Sequence, residues 1–542
     1  MAALKADLIV HNGKVAAVDA DDNFFEALAV CDGRITTLGT NAEVLHHRGP
    51  DTELVDLAGR TAIPGIIDSH CHPDGRAARV ARWHELSPDK VGSRSELLAC
   101  LKRACANAPK GEWVPGYRFN ENRSGGYPSM AELDAACPDH PVFILRTDGH
   151  LGLANANAFA ACDLLDDEPD PPFGRFDRHP DSGEFTGLVR ETAAHIFLDR
   201  IHATDTPEIV AEGLVHVCNE FLSYGVTTIY NSLAGSTGIR AYQRLREAGQ
   251  LPMRIGLIIS GREDGLVESY IRAGIRSGFG DDWIRVIGVE WCPDCSTSGR
   301  TAAYYEPYQG TAIDGEPPGN TGMLLYEADD LASRATQAHG AGLQVMIEGV
   351  GDRGIDFAID ALESALKAHP KHDHRMRVEH CCHVTPAVRK RLADLGIVDS
   401  SATGFMYELG DAYVANRGSD AMRWMWPHRT LIDEGIPAPG HSDAWVCSPN
   451  PFTAMWSMVN RKTDRGTSLD AREAVSPTEA LRAYTTLGAF SGREEQHKGS
   501  LEIGKLADIA VLDRDLFSIA HDDIREIKVD VTIVGGEVKY RR

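Results

Sequence analysis

Eight short β-rich segments alternate with longer stretches over the central part of this chain, and this alternation limits its fold more than any other feature. Most of the longer stretches have room for a helix, and residues 330–339 and 356–367 carry apolar side chains at helical spacing. Eight strands alternating with helices favour a closed (β/α)8 TIM-like barrel over an open sheet. The predicted barrel strands are 61–72, 225–231, 253–260, 284–291, 343–350, 375–381, 396–402 and 436–443.

The two ends of the chain have a different texture from the middle. Short β-rich runs near the N-terminus are separated by turn dipeptides such as Asn12-Gly13 and Asp32-Gly33, and the last residues repeat this pattern before Gly535-Gly536. We therefore expect a composite β-sandwich domain formed by residues 1–60 plus 496–542, around a barrel of residues 61–495.

One connection within the predicted barrel is much longer than the others. Residues 73–224 separate the first and second predicted strands and include a strand-like run at 142–146. An unstructured loop of this length would be unusual, so we expect a folded insertion at the barrel mouth that acts as a lid or substrate wall.

Composition and charge exclude several classes of protein. The 542 residues carry a net charge of −24, and 43% of them are apolar. An acidic surface repels nucleic acids and anionic membranes, and no apolar run approaches the roughly 20 residues that span a bilayer. Twelve scattered cysteines and an N-terminus without a signal-peptide core predict a reduced, cytoplasmic protein.

The strongest chemical signal is the sequence Asp68-Ser69-His70-Cys71-His72 at the end of the first predicted strand. Side chains alternate along a strand, so His70 and His72 project to the same side and can bind one metal ion. An isolated pair of this kind is more often two hydrogen-bonded surface histidines. Its position at the end of a first barrel strand favours the metal site.

Three further strand ends carry side chains that bind metals. Glu290 ends the fourth predicted strand, His380 the sixth and Asp443 the eighth. Each alone could be an ordinary ion-pair partner. Because the carboxyl ends of barrel strands converge on one mouth, we expect them to lie near His70 and His72.

A series of short motifs follows in order along nearly the whole chain. The motifs are Pro64-Gly65-Ile66-Ile67-Asp68-Ser69-His70-Cys71-His72, Gly183-Glu184-Phe185-Thr186-Gly187, Arg300-Thr301-Ala302-Ala303, Gly351-Asp352-Arg353, Val378-Glu379-His380, Ser442-Asp443 and Gly499-Ser500-Leu501-Glu502-Ile503-Gly504-Lys505-Leu506-Ala507-Asp508. Together they resemble the amidohydrolase superfamily, and specifically its amidohydrolase family 3 branch. The resemblance implies a barrel with a composite β-sandwich, and a hydrolase in which a metal-bound hydroxide attacks a carbonyl carbon.

The resemblance also implies a set of metal ligands. They are His70, His72, Glu290, Glu348, His380 and Asp443. Glu290 occupies a bridging position where many relatives have a carboxylated lysine, and Glu348 stands where relatives usually have histidine. Glu348 is then a ligand of a second metal, a general acid beside a single metal, or a carboxylate without a role.

Charge and ligand type bear on the metal content. Two divalent ions would be neutralised by Glu290, Glu348, Asp443 and one hydroxide, whereas one ion would leave an excess of negative charge. We expect one or two divalent ions per chain. Zinc is favoured, and the oxygen-rich ligand set also suits manganese or iron.

The predicted substrate contacts rest on weaker signals. His150 resembles an insertion-borne substrate histidine, with Asn155 near it in sequence, although both also suit a structural hydrogen-bonded pair. Arg300 could bind a carboxylate or form a loop salt bridge. Trp291 could line an apolar wall, or belong to the core, as could Tyr117 and Trp445.

These features together predict an enzyme that hydrolyses a carbon–nitrogen bond of a small molecule, in an amide, N-acyl or N-formyl amine. Asp443 would act as base towards the attacking water and then as acid towards the departing amine. A deaminase, a hydrolase of cyclic amides, carbamates or esters, and a degenerate barrel that only binds a small molecule are the alternatives. A homodimer is expected by analogy only.

Overall fold

The computed structural model describes residues 5–87, 90–121, 124–146, 149, 151–172, 174–312 and 316–542. The chain forms two compact units. The first contains residues 1–73 and 218–542, and the second contains residues 74–217.

Seven parallel strands of the first unit form the wall of a barrel, with each strand hydrogen-bonded to the next along the chain. They are Ile66–Cys71, Val226–Ala234, Arg254–Ser260, Ile284–Trp291, Gln344–Gly349, Arg377–His380 and Val398–Ser401. Buried side chains from five of these strands, among them Tyr230, Ile258 and Met346, form one apolar cluster with Ala489. The predicted TIM-like barrel is confirmed, and seven of its predicted strands are present, the first of them over only part of its predicted range.

The predicted eighth strand forms no regular strand, and two prolines explain this difference. Pro437 and Pro439 have no N–H group, so they accept hydrogen bonds but cannot donate any to a neighbouring strand. The Ser401 N–H donates to the Pro439 carbonyl oxygen at 2.9 Å, and the Asp443 N–H donates to the His70 carbonyl oxygen at 3.1 Å. This closing segment joins the seventh strand to the first through a few such bonds.

The first predicted strand is in fact two strands separated by Gly65. Thr61–Pro64 pairs with strands of a terminal sheet, and Ile66–Cys71 begins the barrel. A Cβ atom on Gly65 would lie only 2.2 Å from Thr227 Oγ1. Glycine therefore permits the close approach at which the chain passes from one sheet to the other.

Helices follow most of the barrel strands. In the first unit they are Asn41–Leu45, Ser236–Glu247, Leu266–Arg272, Ala328–Gly340, Asp352–Ala368, Pro386–Leu395, Thr403–Glu408, Gly410–Arg417, His428–Asp433, Pro451–Asn460, Pro477–Ala483 and Thr486–Ser491, with 3-10 turns at Ser419–Arg423, Ala471–Glu473 and His521–Glu526. Across the described ranges, every helix is too short or too polar to traverse a bilayer.

Strands from both ends of the chain share a six-stranded sheet. Its order is Glu537–Arg541, Val529–Val534, Ile509–Leu512, Thr61–Pro64, Lys14–Ala16 and Phe24–Phe25. A second, four-stranded sheet has the order Arg34–Gly39, Ala27–Cys31, Leu8–His11 and Glu53–Asp56. Leu8, Leu28, Ile509 and Ile533 belong to one buried cluster, so both sheets contribute to the same core.

The second unit is built on its own six-stranded sheet. The order is Gly174–Arg178, Phe185–Glu191, Leu151–Ala154, Val142–Arg146, Val114–Phe119 and His84–Glu85. Helices Pro73–Arg82, Arg94–Asn107, Met130–Ala136, Ala156–Ala161, Thr192–His202 and Pro207–Ser223 complete this part of the chain. Two buried clusters, one around Phe143 and Phe197 and the other around Leu101 and Ile144, form its core.

A disulfide joins Cys105 and Cys137 in the second unit, with their Cα atoms 6.0 Å apart. The expectation that every thiol is reduced is therefore wrong for this pair. Both residues are buried in one apolar cluster, where helix Arg94–Asn107 packs near the end of helix Met130–Ala136. Their wide sequence separation gave no sign of this contact, and the other ten cysteines, all of them in the described ranges, form no disulfide.

Candidate metal centre

His70, His72 and Asp443 converge at the end of the first barrel strand. One ligand atom from each residue lies within 4.8 Å of the other two. Asp443 Oδ1 is 3.0 Å from His72 Nε2 and 3.6 Å from His70 Nε2. Asp443 reaches this position from the closing segment, with a left-handed backbone φ of 54°.

Both histidines are oriented so that Nε2 faces Asp443. His70 Nδ1 lies 2.8 Å from Glu379 Oε2, and His72 Nδ1 lies 3.2 Å from the Ser232 carbonyl oxygen. A carboxylate and a carbonyl only accept hydrogen bonds, so each Nδ1 is placed to donate and each Nε2 is turned towards Asp443. This arrangement is the usual one for histidines that bind metals.

The chemistry of this site fits a divalent ion. His70 Nε2 is buried and has no hydrogen-bond partner among the described residues, so it needs a ligand of another kind. Two imidazole nitrogens and one carboxylate oxygen are ligands that zinc accepts, and three protein ligands leave a coordination position for water. The site is therefore suited to a catalytic metal ion.

A buried ion pair fixes the position of Glu379. Arg377 Nε and Nη2 donate to its two carboxylate oxygens at 2.6 and 2.7 Å, and the Ser400 hydroxyl donates to Oε2 at 2.8 Å. Arg377 and Glu379 were missed in the sequence, where their spacing on one strand was a usable signal. Two charged residues at alternate positions of a barrel strand face the same side and must neutralise each other if buried.

His380 and Glu348 lie beside the three converging residues. The His380 ring centre is 4.8 Å from that of His70, and His380 Nε2 is 3.7 Å from Glu348 Oε1. His380 has a left-handed φ of 68°, which changes the direction of its side chain at the end of the strand. Burial raises the pKa of Glu348 to about 7, although Arg262 nearby opposes this shift.

Glu290 lies on the opposite edge of the His70 ring from Asp443. Its Oε1 is 3.9 Å from His70 Nδ1, and its Oε2 accepts a hydrogen bond from the Ser232 hydroxyl. Burial, reinforced by the neighbouring Glu379, raises the pKa of Glu290 to about 7. The structure thus brings Glu290 to the centre but not into the group of His70, His72 and Asp443.

Two further residues that sequence reasoning missed support the centre. Asp68 accepts hydrogen bonds from the N–H and hydroxyl of Ser442 and so fixes the residue before Asp443. The buried His441 ring lies 4.8 Å from the His70 ring centre. Asp68 could have been found, because it is two residues before His70 and faces the same side of the strand.

Comparisons with known proteins agree with this geometry. The model of the family described as "Amidohydrolase family" matches residues 53–540. The chain belongs to the amidohydrolase family. It is 30% identical to an N-substituted formamide deformylase of Arthrobacter pascens, over 99% of this chain and 98% of the relative. It is 26% identical to the amidohydrolase YtcJ of Bacillus subtilis (strain 168), over 98% and 99% of the two chains.

A solved structure has the same fold. An uncharacterised metal-dependent hydrolase from Pyrococcus horikoshii OT3 superposes with a TM-score of 0.78 at 23% identity, covering 95% of this chain and 99% of the other. The predicted family is confirmed, and with it a hydrolase of carbon–nitrogen bonds.

Arg300 of this amidohydrolase supports a loop, and the structure gives no role to its guanidinium in binding substrate. Its Nε and Nη2 donate to Glu316 at 2.6 and 2.7 Å, and its Nη1 donates to the Gln309 carbonyl oxygen and to Asn416 Oδ1. Every nitrogen of the guanidinium group is engaged, so the predicted carboxylate contact is replaced by the alternative, a loop salt bridge.

Trp291 of the amidohydrolase also departs from its predicted role. It follows Glu290 directly on the fourth strand, so its side chain points to the opposite face, where it lines a cavity together with Val267, Ile271 and Gln337 of two outer helices. The same alternation was visible in the sequence. Trp445 packs its ring against Phe221, with ring centres 5.1 Å apart.

Asn155 acts as a structural residue of the second unit. Its Oδ1 accepts hydrogen bonds from the N–H groups of Val142 and Ala158, and its Nδ2 donates to the His140 carbonyl oxygen. The buried amide therefore caps helix Ala156–Ala161 and holds it to a strand. This explains Asn155 without a substrate. His150 lies outside the described residues, and Tyr117 is buried in the second unit.

Proposed function

We propose that this amidohydrolase cleaves the amide bond of an N-acyl or N-formyl amine, with a zinc ion held by His70, His72 and Asp443. The convergence of these three ligand atoms is the observation that carries the proposal. The full-length similarity to a protein named N-substituted formamide deformylase supports the choice of an exocyclic amide.

A divalent ion at this site acidifies water and polarises a carbonyl group. The side chains of the protein supply the remaining functions. Burial opposes the ionisation of Asp443, but the neighbouring His380 and His72 outweigh it and keep its pKa below the ordinary value. Asp443 is therefore a carboxylate at neutral pH, ready to accept a proton from the attacking water and return it to the departing nitrogen.

The buried residues around Asp443 keep the ligands in the correct protonation state. Burial, and secondly the neighbouring His380, hold the pKa of His70 well below its ordinary value, so this imidazole is neutral. Glu379 accepts a hydrogen bond from the Nδ1–H group of His70, so His70 Nε2 is available to bind metal. The hydrogen bonds from Ser442 to Asp68 hold the backbone from which Asp443 projects.

The remaining acids and imidazole are placed for a second ion. Glu290 Oε1 lies 3.9 Å from His70 Nδ1, and Glu348 Oε1 lies 3.7 Å from His380 Nε2. We propose that the first ion binds tightly and that any second ion uses these three residues and binds more weakly. Metal analysis after dialysis is expected to give about one zinc per chain, and a protein without metal after reconstitution would contradict the proposal.

The decisive test is an Asp443→Asn variant assayed against a panel of N-formyl and N-acetyl amines. Loss of the carboxylate is expected to lower kcat by about 10²- to 10⁴-fold, as for other general acid–base groups. Asp394→Asn, which changes an exposed acid on helix Pro386–Leu395, is the matched control and is expected to leave kcat unchanged. An active wild-type enzyme whose Asp443→Asn variant keeps full activity would show that Asp443 has been assigned the wrong role.

A further inference from the structure

An unpaired arginine lies beside the metal centre. Arg262 follows the third barrel strand, whose last residue, Ser260, is in register with Glu290. The N–H of Gly261 donates to the Glu290 carbonyl oxygen at 2.8 Å, so the chain leaves the strand next to this acid. The Arg262 side chain emerges at the same end of the barrel as Glu290, and it is exposed to solvent.

The guanidinium group of Arg262 differs from those of the other arginines near the centre. Arg377 is neutralised by Glu379, and Arg300 by Glu316. In the described part of the chain, the Arg262 side chain makes no hydrogen bond or ion pair, and its backbone N–H alone is bonded, to Ser260 Oγ. Five N–H donors at an enzyme's catalytic end are therefore available to another molecule.

The charges around Arg262 explain why such a cation is useful there. Cys292, Glu348 and Glu290 raise its pKa and outweigh the opposing effect of its low-dielectric surroundings, so it stays charged at all relevant pH values. At neutral pH, Asp443 and the ionised fractions of Glu290 and Glu348 would repel an anionic substrate. One exposed guanidinium offsets this repulsion for a single negative charge, and a carboxylate carries one charge where a phosphate carries nearly two.

We propose that Arg262 binds a carboxylate of the substrate, so that the preferred substrates are N-acyl or N-formyl amines carrying a carboxylate near the scissile amide. This inference rests on the proposed amide hydrolysis and adds the class of amine to it. The guanidinium fork would form two parallel hydrogen bonds with the carboxylate, and the amide would be held over the centre formed by His70, His72 and Asp443.

Matched substrate pairs test this inference in the full-length, zinc-loaded enzyme. Each pair consists of an N-formyl amino acid and the same molecule without its carboxylate, such as N-formylphenylalanine and N-formyl-2-phenylethylamine. The wild type is expected to prefer the carboxylate member. Arg262→Gln is expected to lower kcat/KM for that member by about 10- to 100-fold, mainly through KM, and to affect the neutral member far less.

Two further variants sharpen the comparison. Arg262→Lys keeps the charge but not the planar fork, so its kcat/KM for the carboxylate member should fall between those of the wild type and Arg262→Gln. Arg272→Gln removes an exposed arginine from the end of helix Leu266–Arg272 and should change neither member. Equal losses for both members in Arg262→Gln, or a wild-type preference for the neutral member, would overturn the inference.

Equilibrium binding separates the inference from the proposed function. Ketone analogues of the corresponding N-acetyl compounds, in which a CH2 group replaces the amide N–H, cannot be cleaved at this position and can be titrated by calorimetry with and without the carboxylate. Arg262→Gln should weaken binding of the carboxylate analogue at least 10-fold more than that of its neutral partner. If the carboxylate analogue binds more tightly than its neutral partner but no amide is hydrolysed, only the proposed function is contradicted. If the two analogues bind equally well, the inference about Arg262 is contradicted.

Discussion

At the scale of single residues, the centre depends on partners that do not themselves face the metal position. His70 and His72 present Nε2 to Asp443 because Glu379 and the Ser232 carbonyl oxygen occupy the two Nδ1 atoms. Glu379 in turn is held by Arg377. A change at such a partner should alter metal binding before it alters the fold.

Glu379→Gln is expected to weaken zinc binding by about 10- to 100-fold, because the neutral amide holds the His70 ring less firmly and leaves Arg377 uncompensated. Competition with a coloured chelator measures the affinity directly, without an assay of turnover. Glu495→Gln, which removes one of the two acidic partners of Arg375, two residues before this strand begins, is the control. An unchanged zinc affinity in Glu379→Gln would show that His70 needs no such support.

Asp399 provides a pH test that involves no metal ligand. Its carboxyl group is buried, and this burial raises its pKa to about 8. The folded protein therefore keeps a proton that the unfolded chain loses near pH 4, so the free energy of unfolding falls as pH rises between these values. Asp399→Asn cannot titrate, and its stability relative to the wild type should increase by up to about 1.4 kcal/mol for each pH unit.

Urea unfolding at pH 5 and pH 8, with the same zinc content at both, measures this difference. Asp394→Asn again serves as the control, since its carboxylate is exposed and paired with Lys390. A gap between Asp399→Asn and the wild type that stays constant or narrows towards pH 8 would mean that Asp399 is ionised in the folded protein.

At the scale of secondary structure elements, the sequence predicted seven barrel strands because each is a short apolar run that ends in polar residues. The prediction of an eighth strand was wrong, because Pro437 and Pro439 have no N–H groups to donate hydrogen bonds to a neighbouring strand. It also merged two strands across Gly65, since an apolar run does not reveal when the chain changes sheets. Histidines and acids at the strand ends predicted which side chains lie together at the centre. The role of Arg300 depends on its contacts within a loop, and that of Trp291 depends on the direction of its side chain.

Gly65→Ala tests the passage between the two sheets. The new Cβ would lie 2.2 Å from Thr227 Oγ1 and 2.8 Å from Thr227 Cβ, so the buried threonine or the backbone must move. We expect a loss of about 1–3 kcal/mol in the free energy of unfolding, as for other overpacked sites. Thr227→Ala in the same chain should recover part of this loss, and the two effects should not add.

Gly75→Ala is the matched control for this substitution. Gly75 lies in helix Pro73–Arg82, and a Cβ there meets no atom within 4 Å. Alanine should leave stability unchanged or raise it slightly, because it loses less backbone entropy on folding. If Gly65→Ala were as well tolerated as Gly75→Ala, the close approach to Thr227 would not constrain the fold.

At the scale of the whole molecule, the candidate metal centre and the disulfide bond are found in different units. The metal centre is assembled from residues of the first unit, and the disulfide between Cys105 and Cys137 lies in the second. Reduction should therefore affect the stability of the second unit more than zinc binding by the first.

The disulfide predicts the thiol count of the purified protein. In guanidinium without reductant, ten thiols should react with a chromogenic reagent, and all twelve should react after reduction. The loop of 32 residues that the bond closes corresponds to about 3–4 kcal/mol of stability in the chain-entropy treatment. Twelve reactive thiols before reduction would show that the protein folds with this pair reduced, as the sequence suggested.

The proline-containing closing segment leaves a junction in the barrel wall, here called the seam, where regular strand pairing is interrupted. His70 and His72 lie on one side of this seam, and Asp443 lies on the other. The two sides are joined by few backbone hydrogen bonds, among them the one from the Asp443 N–H to the His70 carbonyl oxygen. An ion bound by all three residues would link the two sides of the junction that has the fewest backbone hydrogen bonds. Metal binding would therefore stabilise the closed junction, and opening of the junction would lower the affinity for zinc. Amide hydrogens along the seam should then exchange faster in the metal-free protein than those between any other pair of adjacent barrel strands.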